Sequence, residues 1–190
     1  MTEKEIRHCI EHIQLLGDNR EHKTDEFIAR CSRLKELSGS SVKLTTINAG
    51  DYSARTWDMQ GNEIDLREIV VVERKQSLDE LATNLTKEKE RFEREFTRAK
   101  DKGTKVYLLV ENMSFTKLFN GTMPNHPFIN KNSVLGAFFS FVARYRLQVL
   151  FCKPSQTADI IYHVMCKELE EYLNPKDAHR FEDKKNDKSV

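Results

Sequence analysis

The chain has 190 residues, of which 38% are hydrophobic and 32% charged, with a formal net charge of +1. That length fits one domain with a sizeable core and at most a short tail. A charge this close to balance excludes a protein that grips nucleic acid by bulk charge, yet allows a local basic rim beside an acidic site, because the two cancel in the total.

Cys9, Cys31, Cys152 and Cys166 are scattered, with no zinc-type spacing, and read as small buried hydrophobes of a reducing compartment. The N-terminus lacks the pattern of a signal peptide, and no apolar run approaches the roughly 20 residues that span a bilayer. A soluble intracellular protein without membrane association is expected.

Met1 to Glu11 reads as a short helix and His12 to Asp18 as a strand that delivers Asp18 at its end. Thr24 is placed to cap a helix carrying Phe27, Ile28, Cys31, Leu34 and Leu37 at helical spacing, broken by Ser38-Gly39-Ser40-Ser41. Val42, Leu44 and Thr46 alternate in a strand expected to run to Gly50-Asp51; Tyr52 to Met59 continues extended, and Gln60-Gly61-Asn62 signals a hairpin turn. Ile69 to Val72 is β-branched throughout, as in a central strand covered on both faces. From Ser77 a single long helix is expected, with Leu78, Leu81, Leu85, Phe92, Phe96 and Ala99 on one face. Lys105 to Glu111 is another buried strand, Asn120 to Asn132 a loop, and Ser133 the cap of a helix through Tyr145. Leu147 to Cys152 and Ala158 to Leu173 form a last strand and helix, and residues from Pro175 read as a frayed polar tail. Strands alternating with helices, plus one hairpin, predict an α/β fold with a mixed β-sheet flanked by helices.

Glu73 and Lys75 stand two apart on a strand, so both leave one face of the sheet where the apolar run ends. Asp51 enters the partner strand and can bring a second carboxylate beside Glu73. Two carboxylates placed together repel unless a cation lies between them, and oxygen ligands suit Mg2+ or Mn2+. A neighbouring lysine can orient a water and offset charge building on a phosphate. An acid and a base two apart at a strand edge are, by themselves, usually surface decoration.

The ordered set changes that reading. Gly50-Asp51-Tyr52, Val71-Val72-Glu73-Arg74-Lys75, Asp79 and Leu81 resemble the GD…(V/I)ERKxxxD signature of the XPF-type nuclease domain, a branch of the PD-(D/E)xK, restriction-endonuclease-like superfamily. Leu16 to Glu21 is similar to the family's earlier VDxRE strand, and Arg91-Phe92…Glu95 and Leu108 to Glu111 to its later motifs. The resemblance implies a restriction-endonuclease-like fold over residues 1–174 and a Mg2+- or Mn2+-dependent DNA endonuclease. Asp51, Glu73 and Lys75 are its catalytic set, and Asp51, Glu73, Asp18 and Glu21 its metal-site acids. Arg20, Arg74, Arg91 and Lys87 become DNA contacts, and Asp79 and Tyr52 supporting neighbours. It further implies structure-specific cutting of branched, flap or single-strand/double-strand junction DNA in repair, recombination or phage DNA processing, and a homodimer.

Three departures stand out. Gly17 replaces the usual apolar residue and is expected to loosen its strand, Glu95 stands where the family often has Gln, and the residues after the nuclease domain are expected to be too few for a helix-hairpin-helix module. The compact size resembles phage or bacterial versions. Lys87, Arg91, Arg94 and Arg98 share a helical face, read either as a phosphate-tracking stripe or as a solvated face paired with glutamates; only Arg91 also fits the motif. His22 beside Glu21 reads as a surface histidine. Phe115, Phe119 and Phe128 read as loop anchors, and Phe138, Phe139 and Phe141 as core or dimer contacts. The rival from another class is a DNA-binding scaffold that keeps the fold without catalysis, against which the intact Asp51/Glu73/Lys75 set argues.

Overall fold

A computed structural model describes residues 1–120 and 130–174. Helix α1 (Glu3–Glu11), closed by a capping box between Thr2 and Glu5, leads into strand β1 (Gln14–Asp18). Helix α2 (Asp25–Ser38) starts on the Thr24 hydroxyl, as the sequence predicts, because that oxygen accepts the Phe27 N–H. Strands β2 (Lys43–Thr45), β3 (Tyr52–Trp57), β4 (Glu63–Asp65) and β5 (Val70–Lys75) follow, then helices α3 (Leu78–Leu85) and α4 (Lys89–Asp101). The chain continues through β6 (Lys105–Glu111), α5 (Phe115–Asn120), α6 (Lys131–Tyr145), β7 (Gln148–Cys152), a 3-10 turn at Pro154–Gln156, and α7 (Thr157–Leu173).

The strands form one mixed seven-stranded sheet in the order β2-β1-β3-β5-β6-β7, with β4 hairpinned onto β3. β1 runs parallel to β2; β3 is antiparallel to both β1 and β5; β5, β6 and β7 are parallel. The alternation of β5 assigns the two faces. Val71 packs with Leu81, Phe92, Phe96, Phe138 and Phe141, so α3, α4 and α6 cover the front. Val70 and Val72 pack with Cys9, Leu34, Ile161 and Met165, so α1, α2 and α7 cover the rear. Both faces of the central strand are buried, which is why it reads as an unbroken apolar run.

Several expectations are corrected. The helix from Ser77 is two helices: at Thr86 the hydroxyl turns back onto the Ala82 carbonyl, and the Glu88 amide bonds to Thr83 O before α4 begins. The strand after Val42 ends at Thr45, because Ile47 and Ala49 leave the sheet and enter the front core beside Leu16 and Val71. Helix α6 is capped by Asn130 rather than Ser133, its side-chain oxygen accepting the Asn132 N–H. Residues 115–120, partly read as loop, are helical; residues 121–129 of that expected loop, with Phe128, and the expected tail at 175–190 lie outside the described residues. Gly17 does not loosen its strand: it is hydrogen-bonded between β2 and β3, and a Cβ there would meet Leu44 Cδ2 at 3.2 Å. Phe138 and Phe141 lie in the core, whereas Phe139 is exposed. Among the described residues no helix is long and apolar enough to cross a membrane.

Candidate active site

The end of β5 carries the chemistry. Glu73 and Lys75 share the front face with Val71 and are both buried, at 3% and 6% exposure. Lys75 Nζ lies 2.6 Å from Glu73 Oε1 and 3.6 Å from Glu80 Oε1, and 5.1 Å from the centre of the Phe92 ring. Two charges so far from water persist only because each answers the other.

Asp51 reaches the same place by a turn whose backbone is tied on every side. Its N–H donates to Val72 O at 2.9 Å, its C=O accepts from Asp18 N at 2.8 Å, and its Oδ2 accepts from Arg74 N at 2.7 Å. Gly50 makes the approach possible: its φ is +80°, and any Cβ would lie 2.9 Å from Val71 Cβ. From α4, Glu95 Oε1 accepts the Gly50 N–H at 3.0 Å.

Burial and then repulsion from Glu73 push the Asp51 carboxyl well above its ordinary value. Burial also pushes Glu73 up to about 7, with Lys75 opposing and Glu95 and Glu80 adding to the rise. Burial opposes the charge on Lys75, but Glu73, Asp51 and Glu80 prevail and hold its ammonium protonated.

These groups line a cavity of about 310 Å3, together with Asp18, Arg20, Glu21, His22, Arg74 and Arg91. Six carboxylates line it against the cations of Arg20, Lys75 and Arg91, a formal charge of −3 with His22 neutral and the Arg74 guanidinium turned to the rear face. A second cavity of about 430 Å3, between α2, the ends of β5 and β6, and the start of α7, holds neither Asp51 nor Glu73.

The remaining candidates separate by partner. Asp18 is saturated: its oxygens accept from Arg20 N, Nε and Nη2 and from Ile47 N, at 2.7–3.0 Å. Glu21 lies 3.6 Å from Arg30 Nη2. Arg20 and Arg91 are exposed on the cavity rim, Arg91 paired with Glu88. Arg74 does not offer a free guanidinium. It forks onto Glu111 at 2.7 and 2.8 Å on the rear face, where Thr157 also donates to Glu111. Tyr52 is buried on that face, its OH accepting from Arg30 Nε at 2.7 Å. Lys87 sits in the break between α3 and α4, so the basic stripe is not one helical face, and Arg98 bonds to the Asn48 carbonyl. Asp79 does not line the cavity; its neighbour Glu80 does, which the sequence motif missed, as it missed the bond from Gly50 to Glu95.

Among the described residues no three His, Cys, Asp or Glu side chains converge as a ready-made metal cage. Glu73 is turned onto Lys75, and Asp51 onto the Arg74 amide.

The sequence matches the ERCC4 domain over residues 18–164. The chain belongs to the ERCC4 domain family. ERCC4 domains are XPF-type nuclease domains, which places the chain in a family of endonucleases acting on DNA in repair and recombination. The ERCC4 domain seen here is similar in fold to XPF from Aeropyrum pernix, with a TM-score of 0.56 at 19% identity, covering 88% of this chain and 69% of that one. No curated protein sequence matches the chain.

Proposed function

We propose that this ERCC4 domain is an active, divalent-metal-dependent DNA endonuclease centred on Asp51, Glu73 and Lys75. The observation that carries the reading is the pairing of Asp51, from the turn before β3, with Glu73 of β5 in one cavity where carboxylates outnumber cations, with the buried Lys75 lying between Glu73 and Glu80 of α3. The donor set fits a hard divalent cation. The acids grouped there, Asp51, Glu73 and Glu21, all offer carboxylate oxygens, and the charge of Glu73 burdens Asp51 in the absence of a cation. Mg2+ or Mn2+ so bound would supply Lewis-acid polarisation of a phosphate and a water of lowered pKa.

The chain's own residues do the rest. Asp51 and Glu73 hold the cation, with Glu21 lining the same cavity. Asp18, already saturated by Arg20 and Ile47, positions the Asp51 turn through its backbone amide. Lys75, held at the cavity by Glu73 and Glu80, would present its ammonium to the attacked phosphate and offset the charge that builds there. Arg20 and Arg91, exposed at the rim, contact the flanking phosphates. The nuclease unit spans residues 1–174, with branched, flap or single-strand/double-strand junction DNA as substrate and a homodimer as the form that cuts twice.

The test is cleavage of labelled flap, splayed-arm, nicked and plain duplex DNA with Mg2+, Mn2+, Ca2+ or EDTA. Cutting is expected with Mg2+ or Mn2+ only, binding without turnover with Ca2+, and none from Asp51→Asn or Glu73→Gln. Undiminished cutting in excess EDTA overturns the metal assignment. Tight DNA binding with no cleavage of any substrate in either metal would leave the scaffold reading standing instead.

A further inference from the structure

Glu95 is the carboxylate of the cavity whose task the motif does not define. It projects from α4, and its Oε1 accepts the Gly50 N–H at 3.0 Å, tying that helix to the turn that presents Asp51. A glutamine would accept the same bond through its amide oxygen, so the hydrogen bond alone gives no reason for a charge. The charge nevertheless has consequences. It repels Glu73, already buried and burdened by its neighbours. It also draws on Arg20 and Arg91, but neither closes on it: Arg20 pairs with Asp18 and Arg91 with Glu88. Among the described residues Glu95 Oε2 accepts no hydrogen bond. Glu95 thus stands half-buried beside Glu73 with no salt bridge of its own among the described residues. Its charge becomes favourable when a cation enters the space the carboxylates share.

We propose that Glu95 is a third carboxylate of the divalent-cation site, anchored on the Gly50 amide by one oxygen and offering the other to the ion. This rests on the reading that a divalent cation occupies the Asp51/Glu73 cavity. The position therefore has two separable roles: an acceptor that fixes the turn, and a charge that sets affinity for the ion. Glu95→Gln removes the second and keeps the first; Glu95→Ala removes both.

The experiment is a calorimetric titration of Mn2+ into wild type, Glu95→Gln and Glu95→Ala without DNA, alongside thermal melts of each with and without Mn2+. Glu95→Gln is expected to melt at or above the wild-type temperature when metal-free, and to bind Mn2+ roughly ten- to a hundredfold more weakly. Its melting temperature should also rise less on adding the ion. Glu95→Ala is expected to lose metal-free stability as well, because the Gly50 N–H is left without its partner. Mn2+ affinity in Glu95→Gln within about twofold of wild type overturns the proposal and leaves Glu95 as a tether for the turn. Wild type that binds no Mn2+ overturns the cation reading itself, and this proposal with it, so the two failures are told apart by which protein fails to bind.

Discussion

Replacing Gly50 by alanine tests whether the Asp51 turn is built as described. The residue sits at φ +80°, and a Cβ there would lie 2.9 Å from Val71 Cβ, 3.0 Å from Val71 Cγ2 and 3.2 Å from the Val72 carbonyl oxygen. Val71 is fully buried in the central strand, and the front core packs against it, so it cannot retreat. The left-handed backbone costs an L-residue about 1 kcal/mol. Forcing a methyl group into a packed core adds about 1–3 kcal/mol. Gly50→Ala is therefore expected to cost about 2–4 kcal/mol, a large part of the roughly 5–15 kcal/mol that holds a domain folded. Gly61 supplies the control: its φ is +85°, yet nothing lies within 4 Å of the Cβ site, so Gly61→Ala carries the conformational cost alone. Urea denaturation of both variants at matched slope measures the difference. An equal cost at the two positions would refute the collision with Val71, and with it the claim that the turn is pressed against β5. In the folded fraction of Gly50→Ala, cleavage should fall as well, because relieving the contact displaces Asp51 from the Arg74 amide.

Lys75→Met leaves Glu73 buried without its partner and is expected to cost about 3–5 kcal/mol; Glu73→Gln in the same chain should recover part of that, and strict additivity in the double-mutant cycle would show that the pair is not coupled. Arg91→Ala should flatten the salt dependence of DNA affinity, measured in Ca2+, by about one unit of slope, while Arg98→Ala changes it little. Both should keep stability within about 0.5 kcal/mol, since exposed ion pairs contribute little, and an unchanged slope for Arg91→Ala removes it from the DNA contacts. Burial pushes the Glu111 carboxyl up, but Arg74 and Thr157 outweigh it and hold it below its ordinary value. A carboxylate depressed in the folded state stabilises above its unfolded pKa, and that stability is lost as pH falls through the folded value. Glu111→Gln should therefore cost about 3 kcal/mol at neutral pH, with the gap from wild type narrowing below about pH 4; urea midpoints showing a constant gap across that range would contradict this.

How far the sequence discloses the site follows from what each signal depends on. The valine run, the spacing of Glu73 and Lys75 and the Thr24 cap are local, and all three appear in the structure where the sequence puts them. The break at Thr86 is hidden because Leu85 and Phe92 are seven residues apart, two helical turns, so both still face the front core across a three-residue interruption and the period shows no fault. Pairing with distant residues is hidden for another reason. Asp18, Asp51, Glu73, Glu95 and Glu111 are all carboxylates in or near motif positions, and no one-dimensional pattern says which of them meets a guanidinium. The fold decides it. Arg20 folds back onto Asp18, and Arg74, whose place in the strand alternation already sends it to the rear, closes on Glu111. Both of those acids are paired and held ionised, with their pKa values lowered, whereas those of Asp51 and Glu73 rise. Glu95 receives no ion pair among the described residues. The arginines thus sort five acids into two that hold the scaffold and three that no arginine pairs, of which Glu73 is answered by Lys75 instead, and it is among those three that the proposed cation would lie.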